Sequence, residues 1–255
     1  MRYEQTIDIL KSQRHYFTHR AHLEIEEKSR ANYVTNIDKT IENNIKQALL
    51  TIYPHINFVG EEEVENLTYD HYWLLDPIDG TQNYIKGQYP SMISLALVEK
   101  GTVVYAVIYD PYFDVMYTAY KGEGAFQNGS PIHVSAGKMN KAIVMVGTAP
   151  YTRDLTDDTF KVAKSVYEHA SDIRRSGSAC YDLVQVATGR AEAYFEHFVH
   201  SWDYAAGLLI VQEAGGIVSD MEGKSLNEMK VGTTSILASN HNIHQELIQL
   251  IEANV

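Results

Sequence analysis

The stretch Trp73-Leu74-Leu75-Asp76-Pro77-Ile78-Asp79-Gly80-Thr81 constrains this chain more than any other: an apolar run ends in two carboxylates, and glycine and threonine follow the second at once. The apolar run predicts a buried strand with Asp76 at its end. Pro77 fixes its own φ and disfavours helix at Asp76, which restrains the exit from the strand. The chain then turns through Ile78, whose carbonyl can face the space shared by the two carboxylates. Oxygen ligands of this kind suit a hard cation such as Mg²⁺, which prefers octahedral geometry at about 2.0–2.1 Å and keeps several waters. Gly80 and Thr81 are placed to start a short helix, where unpaired backbone N–H groups suit an anion such as phosphate. The same acids also serve simply to cap a turn before a helix.

Their company bears on that choice. Phe58-Val59-Gly60-Glu61-Glu62-Glu63 is another apolar run that ends in carboxylates, and Asp203 falls in the first turn of a predicted helix. A glutamate run is ordinarily solvated, and an acid at a helix start ordinarily complements the dipole. Acids at the ends of several separate apolar elements favour a common site. Competing templates fail on spacing. An EF-hand loop needs glycine at its sixth position, and Gly80 is the fifth residue counted from Asp76. Aspartyl-phosphate phosphatases of the haloacid dehalogenase type carry D-x-D, against D-x-x-D here. A cysteine phosphatase needs arginine six residues after its nucleophile, where Val186 follows Cys180, and no G-x-x-x-x-G-K-[ST] loop is present.

With 255 residues the chain is long enough for a large core, and its formal charge of −12 argues against nucleic acid as a partner. Cys180 is the only cysteine, so no internal disulfide can form and a cysteine-based zinc site is not expected. The N-terminal residues are rich in charge, with no apolar stretch of signal-peptide type and no later run of membrane-spanning length. A cytoplasmic location and no membrane partner are expected.

Apolar spacing predicts two N-terminal helices, one through Ile7, Leu10 and Phe17 and one through Ile41, Ile45, Leu49 and Ile52 that Pro54 ends. Between Ser91 and Ser135, β-branched and aromatic runs separated by turn signals predict an antiparallel meander. Strands near Ile143–Val146 and Ala193–Phe195 and helices near Asp157–His169 and Cys180–Ala187 follow. A helix from about Asp203 should stop at Gly215–Gly216, and a last one should cover Ile243–Ile251. Two halves are expected, residues 1–140 with the acid and phosphate motifs and 141–255 completing the site, in a layered α/β (α+β) arrangement.

Taken together, Asn36-Ile37-Asp38, Gly60-Glu61-Glu62, Asp76–Thr81 and Trp202–Gly207 make the chain resemble the inositol monophosphatase family, the Mg²⁺-dependent, typically lithium-sensitive phosphomonoesterases. The resemblance runs over nearly the whole chain. It implies an αβαβα sandwich of the inositol monophosphatase and fructose-1,6-bisphosphatase type, commonly a homodimer, with two to three Mg²⁺ ions per site. Carried across by position, it makes Glu61, Asp76 and the Ile78 carbonyl ligands of a first ion. Asp76 bridges to a second ion held by Asp79 and Asp203, and Glu61 with waters serves a third; Glu62 is their neighbour. Asp38 and Thr81 orient the attacking water, with Glu61 beside them, and the Gly80 and Thr81 amides hold phosphate oxygens. Glu196 and the loop Gly177-Ser178-Ala179 meet the alcohol side of the substrate, joined by Asp79 and Asp203. Gln82 departs from the pattern, since many relatives carry threonine there, which implies tuning of the site.

The function so implied is hydrolysis of a small phosphorylated polyol or nucleotide by metal-activated water, nominally inositol 1-phosphate. NADP(H) 2′-phosphate, fructose 1,6-bisphosphate and 3′-phosphoadenosine 5′-phosphate are alternatives, the short segment between Glu61 and Asp76 being compatible with larger substrates. A regulatory, non-catalytic ligand-binding protein is the rival of another class. His15, His19 and His22 share a face of the predicted first helix, read as a solvated or dimer-facing surface in preference to a zinc site. His197 and His200 are expected near the pocket without a catalytic role, and Cys180 as a small buried residue.

Overall fold

The computed structural model describes residues 3–19, 23–62 and 69–254. The N-terminal part contains α1 (Gln5–Ser12), α2 (His15–Thr18), β1 (Ile25–Ser29), β2 (Asn32–Thr35), α3 (Asn36–Ile52), β3 (Asn57–Gly60), β4 (His71–Asp79) and α4 (Thr81–Lys86). The expected meander follows as β5 (Met92–Glu99), β6 (Thr102–Asp110), β7 (Val115–Tyr120), β8 (Gly124–Gln127) and β9 (Ser130–Pro131). Next come β10 (Ile143–Val146), α5 (Thr156–His169), β11 (Asp172–Arg174), α6 (Ala179–Ala187) and β12 (Ala193–His200). The chain ends in α7 (Ser201–Glu213), β13 (Ile217–Ser219), β14 (Thr233–Ser239) and α8 (His244–Glu252). Strands β3 to β9 lie in sequence order in one sheet, a second sheet has the order β11-β10-β12-β14-β13, and β1 and β2 form a separate ribbon.

The layering follows from strands that are apolar on both faces. In β4, Trp73 and Leu75 point one way, Tyr72 and Leu74 the other, and all four are buried. Such a strand needs cover on each side. On one side Leu10 of α1 and Ile41, Ile45 and Leu49 of α3, four residues apart along one helical face, pack with Trp73, Leu95 and Tyr105. On the other, α6 and α7 lie against Ala96, Ala106 and Ala119, whose small side chains let a helix come close. The far side of those helices rests on Tyr194, Ile236 and Ala238 of the second sheet. Val162 and Val166 of α5 and Leu247 and Ile251 of α8 cover that sheet's outer face at Val144, Phe195 and Leu237. The stacking is α-β-α-β-α, as expected. Because α7 is enclosed between two sheets, it is apolar all round, and Gly207 is needed where it meets α6: a Cβ there would stand 2.7 Å from the Leu183 Cβ.

Several elements differ from expectation. The first helix ends at Ser12 instead of running to Phe17. The Gln13 and Arg14 amides donate to Leu10 and Lys11 carbonyls, tightening the turn before the chain restarts as α2. His15 therefore opens α2 and His19 caps its end, its amide donating to the His15 carbonyl at 2.9 Å, so the two flank a single short turn instead of a face of the first helix; His15 Nδ1 lies 2.9 Å from the Ser12 carbonyl. His22 and Glu63 lie outside the described residues, as do residues 64–68 of the segment between Glu61 and Asp76. The ribbon β1–β2 and strands β11, β13 and β14 were not expected, and β12 runs on to His200.

Candidate active site

A regular strand puts residues three apart on opposite faces. Asp76 and Asp79 share one space because the β4–β5 register slips between them, where Pro77 has no N–H to give the ladder. Asp76 Oδ1 accepts from the Ile78 amide at 2.9 Å, which folds the carboxylate back over the slip. Gly80 then leads into α4 with φ 87°, and a Cβ there would stand 3.0 Å from the Pro90 carbonyl and 3.3 Å from that of Gly177. Only glycine combines that backbone with that approach.

Asp203 arrives from the other sheet. It is the third residue of α7, and its Oδ2 accepts from the His200 amide at 3.0 Å, fixing the helix start. Carboxylate oxygens of Asp76, Asp79 and Asp203 lie within 4.8 Å of one another. Asp79 is also clamped by the loop before α6: Ser178 Oγ donates to it, as do the Ala179 and Cys180 amides at 3.1 and 3.0 Å. Burial and then neighbouring carboxylates push Asp76 well above the usual carboxylate range. Asp203 rises likewise, by burial and then Asp79, and Asp79 is raised to about 6, its burial outweighing those hydrogen bonds. Three carboxylates so close in a poorly hydrated site need a countercharge to ionise together. An all-oxygen donor set of this charge fits a hard divalent cation such as Mg²⁺.

The remaining expected residues fall around this cluster. Glu61 follows β3, and its amide donates to the Leu75 carbonyl at 3.1 Å. Its carboxylate lies outside the three-acid cluster, 3.6 Å from Lys28 Nζ, which also pairs with Glu62 at 2.7 Å. Burial raises Glu61 and Lys28 opposes the rise. The Glu62 amide donates to buried Glu42 at 3.0 Å, so this neighbour anchors the turn. Asp38 is locked into the start of α3 by a reciprocal cap with Thr35, whose amide donates to Oδ2 at 2.8 Å. Burial raises Asp38 to about 6. Thr81 Oγ1 stands 3.4 Å from Asp38 Oδ1 and 3.0 Å from the Ile78 carbonyl. Glu196 is buried, with Oε1 accepting from the Ala149 amide at 2.7 Å and Oε2 from the Tyr194 hydroxyl at 2.6 Å. A cavity of about 310 Å³ is lined by Glu61, Asp76, Ile78, Asp79, Gly80, Thr81, Gly177, Ser178, Ala179, Glu196 and Asp203, with Asp38 behind Thr81 and Glu62 behind Lys28.

Sequence reasoning passed over Lys28, Thr148, Tyr151 and Asp182, which line the same cavity, as do Arg175, in the Arg174–Cys180 run that resembles a substrate-facing loop, and Trp202, which opens the Trp202–Gly207 motif. Lys28 belongs to β1, whose five residues are all exposed and show no alternation to read. Asp182 follows Gly177–Ala179 by one turn of α6, and that loop was the available signal for it. His200 lines the cavity and stacks on Trp202 at 4.7 Å, whereas His197 turns away to Thr159. Cys180 is fully buried beneath the site, its Sγ 3.1 Å from the Asp203 carbonyl.

Residues 3–255 match the family model described as the inositol monophosphatase family. The chain belongs to that family. Among family members, a Nus factor SuhB of Xylella fastidiosa is 37% identical over 233 residues, covering 90% of this chain and 85% of the relative. An inositol-1-monophosphatase of Rhizobium meliloti is 36% identical over 233 residues, covering 90% and 86%. Among solved structures, an IMPase of Thermotoga maritima superposes with a TM-score of 0.88 at 30% identity, covering 99% of this chain and 97% of that one. The inositol monophosphatase fold therefore extends through both sheets and the acid cluster between them.

Proposed function

We propose that this family member is a Mg²⁺-dependent phosphomonoesterase that releases phosphate from a small phosphorylated polyol, nominally inositol 1-phosphate. The observation that carries the reading is the convergence of Asp76, Asp79 and Asp203 on one cavity, beside the Gly80 turn. Glu61, Asp76 and the Ile78 carbonyl would hold one cation and Asp76, Asp79 and Asp203 a second, with Glu61 available to a third. Bound there, Mg²⁺ neutralises phosphate charge and lowers the pKa of a coordinated water.

The chain's own groups do the rest. The Gly80 and Thr81 amides hold phosphate oxygens at the head of α4. The Thr81 hydroxyl, turned toward Asp38, donates to that carboxylate and accepts from the attacking water, while Asp38 is kept in place by its cap on α3. Each Glu196 oxygen already accepts one hydrogen bond and retains a lone pair for a substrate hydroxyl. With Gly177, Ser178 and Ala179, Glu196 receives the alcohol side. Residues 1–140 thus supply the reaction and 141–255 the third acid and the alcohol pocket. The family resemblance supports a homodimer, and the lone cysteine supports a reducing, cytoplasmic setting.

The test is phosphate release by the purified protein from inositol 1-phosphate, NADP⁺, fructose 1,6-bisphosphate and 3′-phosphoadenosine 5′-phosphate, with and without Mg²⁺ and Li⁺. Mg²⁺-dependent, lithium-inhibited release supports the reading. The name Nus factor SuhB on the relative from Xylella fastidiosa favours a second one, a regulatory protein that keeps the fold. It predicts Mg²⁺ binding with no turnover of any ester in the panel.

A further inference from the structure

Breaking a phosphate ester leaves negative charge on the oxygen of the departing alcohol, and Asp79, Asp203 and Glu196 all border the cavity where that charge would grow. An oxygen gaining charge beside carboxylates needs donors aimed at it. Of the hydroxyls that the C-terminal half brings to this cavity, Ser178 gives its proton to Asp79, and Thr148 is tied to the Arg175 Nε at 3.1 Å. Tyr151 lines the same cavity, and among the described residues its hydroxyl has no hydrogen-bond partner.

The segment that ends in Tyr151 is laid along β12. The Gly147 amide donates to the Phe195 carbonyl at 2.9 Å and the Ala149 amide to Glu196 Oε1 at 2.7 Å. The Tyr151 ring then meets Phe198 edge-on, with centroids 5.9 Å apart, and His200 at 6.0 Å. His200 in turn stacks on Trp202 and gives its amide to Asp203 Oδ2. The ring is thus framed along the stretch that runs from Glu196, which meets the alcohol, to Asp203, the third acid of the cluster. Burial, and then the charges of Asp203 and Glu196, push its hydroxyl well above the ordinary phenol range, so it keeps its proton beside those carboxylates.

We propose that the Tyr151 hydroxyl donates a hydrogen bond to the ester oxygen of the substrate as the bond from that oxygen to phosphorus breaks. This rests on the phosphatase reading and adds a catalytic residue to it. The water oxygen forms the new bond to phosphorus, and the electron pair of the old bond passes to the alcohol oxygen. Tyr151 shares its proton with that oxygen without surrendering it. The proton lost by the attacking water is balanced by the one that the alkoxide takes from solvent. Such help grows with the basicity of the leaving oxygen. It is large for an alkyl alcohol such as inositol and small for nitrophenol, whose oxygen spreads its charge into the ring.

The experiment compares wild type and Tyr151→Phe on inositol 1-phosphate and para-nitrophenyl phosphate at saturating Mg²⁺, reading kcat and KM separately. The expected result is that the variant loses at least about tenfold more kcat on inositol 1-phosphate than on para-nitrophenyl phosphate, the order of one weak oxyanion donor, with KM moved less than kcat. Equal losses on the two esters leave Tyr151 as a wall of the cavity and overturn the proposal, as does no loss on either; the phosphatase reading survives both results. If wild type releases phosphate from neither ester, the two fall together. A second measurement needs no variant: wild-type kcat over a series of phenyl phosphates should fall only shallowly as the leaving phenol becomes more basic. A steep fall overturns the proposal whether or not Tyr151→Phe folds.

Discussion

The acids at the centre of the molecule are held in a state that costs stability. Asp38 and Asp79, raised to about 6 chiefly by burial, retain protons in the folded chain that an unfolded chain releases near the ordinary carboxylate value. The stabilisation from a raised carboxylate is full below the unfolded pKa and is lost as pH climbs through the folded one. Between about pH 4 and 7 these groups therefore erode the stability of the metal-free protein, and a bound cation restores it. The melting midpoint gained on adding Mg²⁺ should be larger at pH 7.5 than at pH 5.5, and smaller at pH 7.5 in Asp79→Asn; a gain independent of pH would contradict this. Gly80 makes a second prediction at the same scale. Gly80→Ala forces a side chain into left-handed backbone 3.0 Å from the Pro90 carbonyl, so it should lose at least about 1 kcal/mol of stability and most phosphate release. Differential scanning calorimetry and a phosphate assay check the two parts.

At the scale of the element, α7 decides how closely the layers approach. Gly207→Ala drives a methyl into Leu183 of α6 and should cost about 1–3 kcal/mol as overpacking, read as a lowered melting midpoint. The legibility of elements follows the same physics. α5 and α6 could be read because each buries one face, which writes the period into the sequence; β4, the meander strands and α7, buried on nearly every side, could be read as apolar runs bounded by turn and cap residues. The ribbon β1–β2 could not: β1 is exposed throughout, and its turn uses Ala31 at φ 60° where glycine or asparagine would have signalled it. Four of the seven residues of β14 are threonine or serine, and it is a strand because β12 and β13 flank it. The break in the first helix was hidden for another reason, since Phe17 is buried at helical spacing after the chain has already turned.

Across the whole molecule, the αβαβα stack brings the carboxyl side of β4 in one sheet to the start of α7, which follows β12 in the other. Asp76, Asp79, Gly80 and Thr81 were legible because acids and a glycine stand where an apolar run stops. What spacing could not give was their distance from Asp203, or the clamp of Ser178, Ala179 and Cys180 on Asp79, since both depend on how the two sheets meet through α6 and α7. Lys28 was illegible for a related reason: an exposed lysine carries no mark of the cavity it borders.

The most direct test of a cation site shared between the sheets is phosphate release from inositol 1-phosphate against Mg²⁺ concentration, in wild type, Asp76→Asn and Asp203→Asn. Wild type should show saturable Mg²⁺ activation, and each variant should lose at least about 100-fold in kcat, the scale of removing one electrostatic stabiliser from an active site. Full activity in either variant, or wild-type release without a divalent cation, would contradict it.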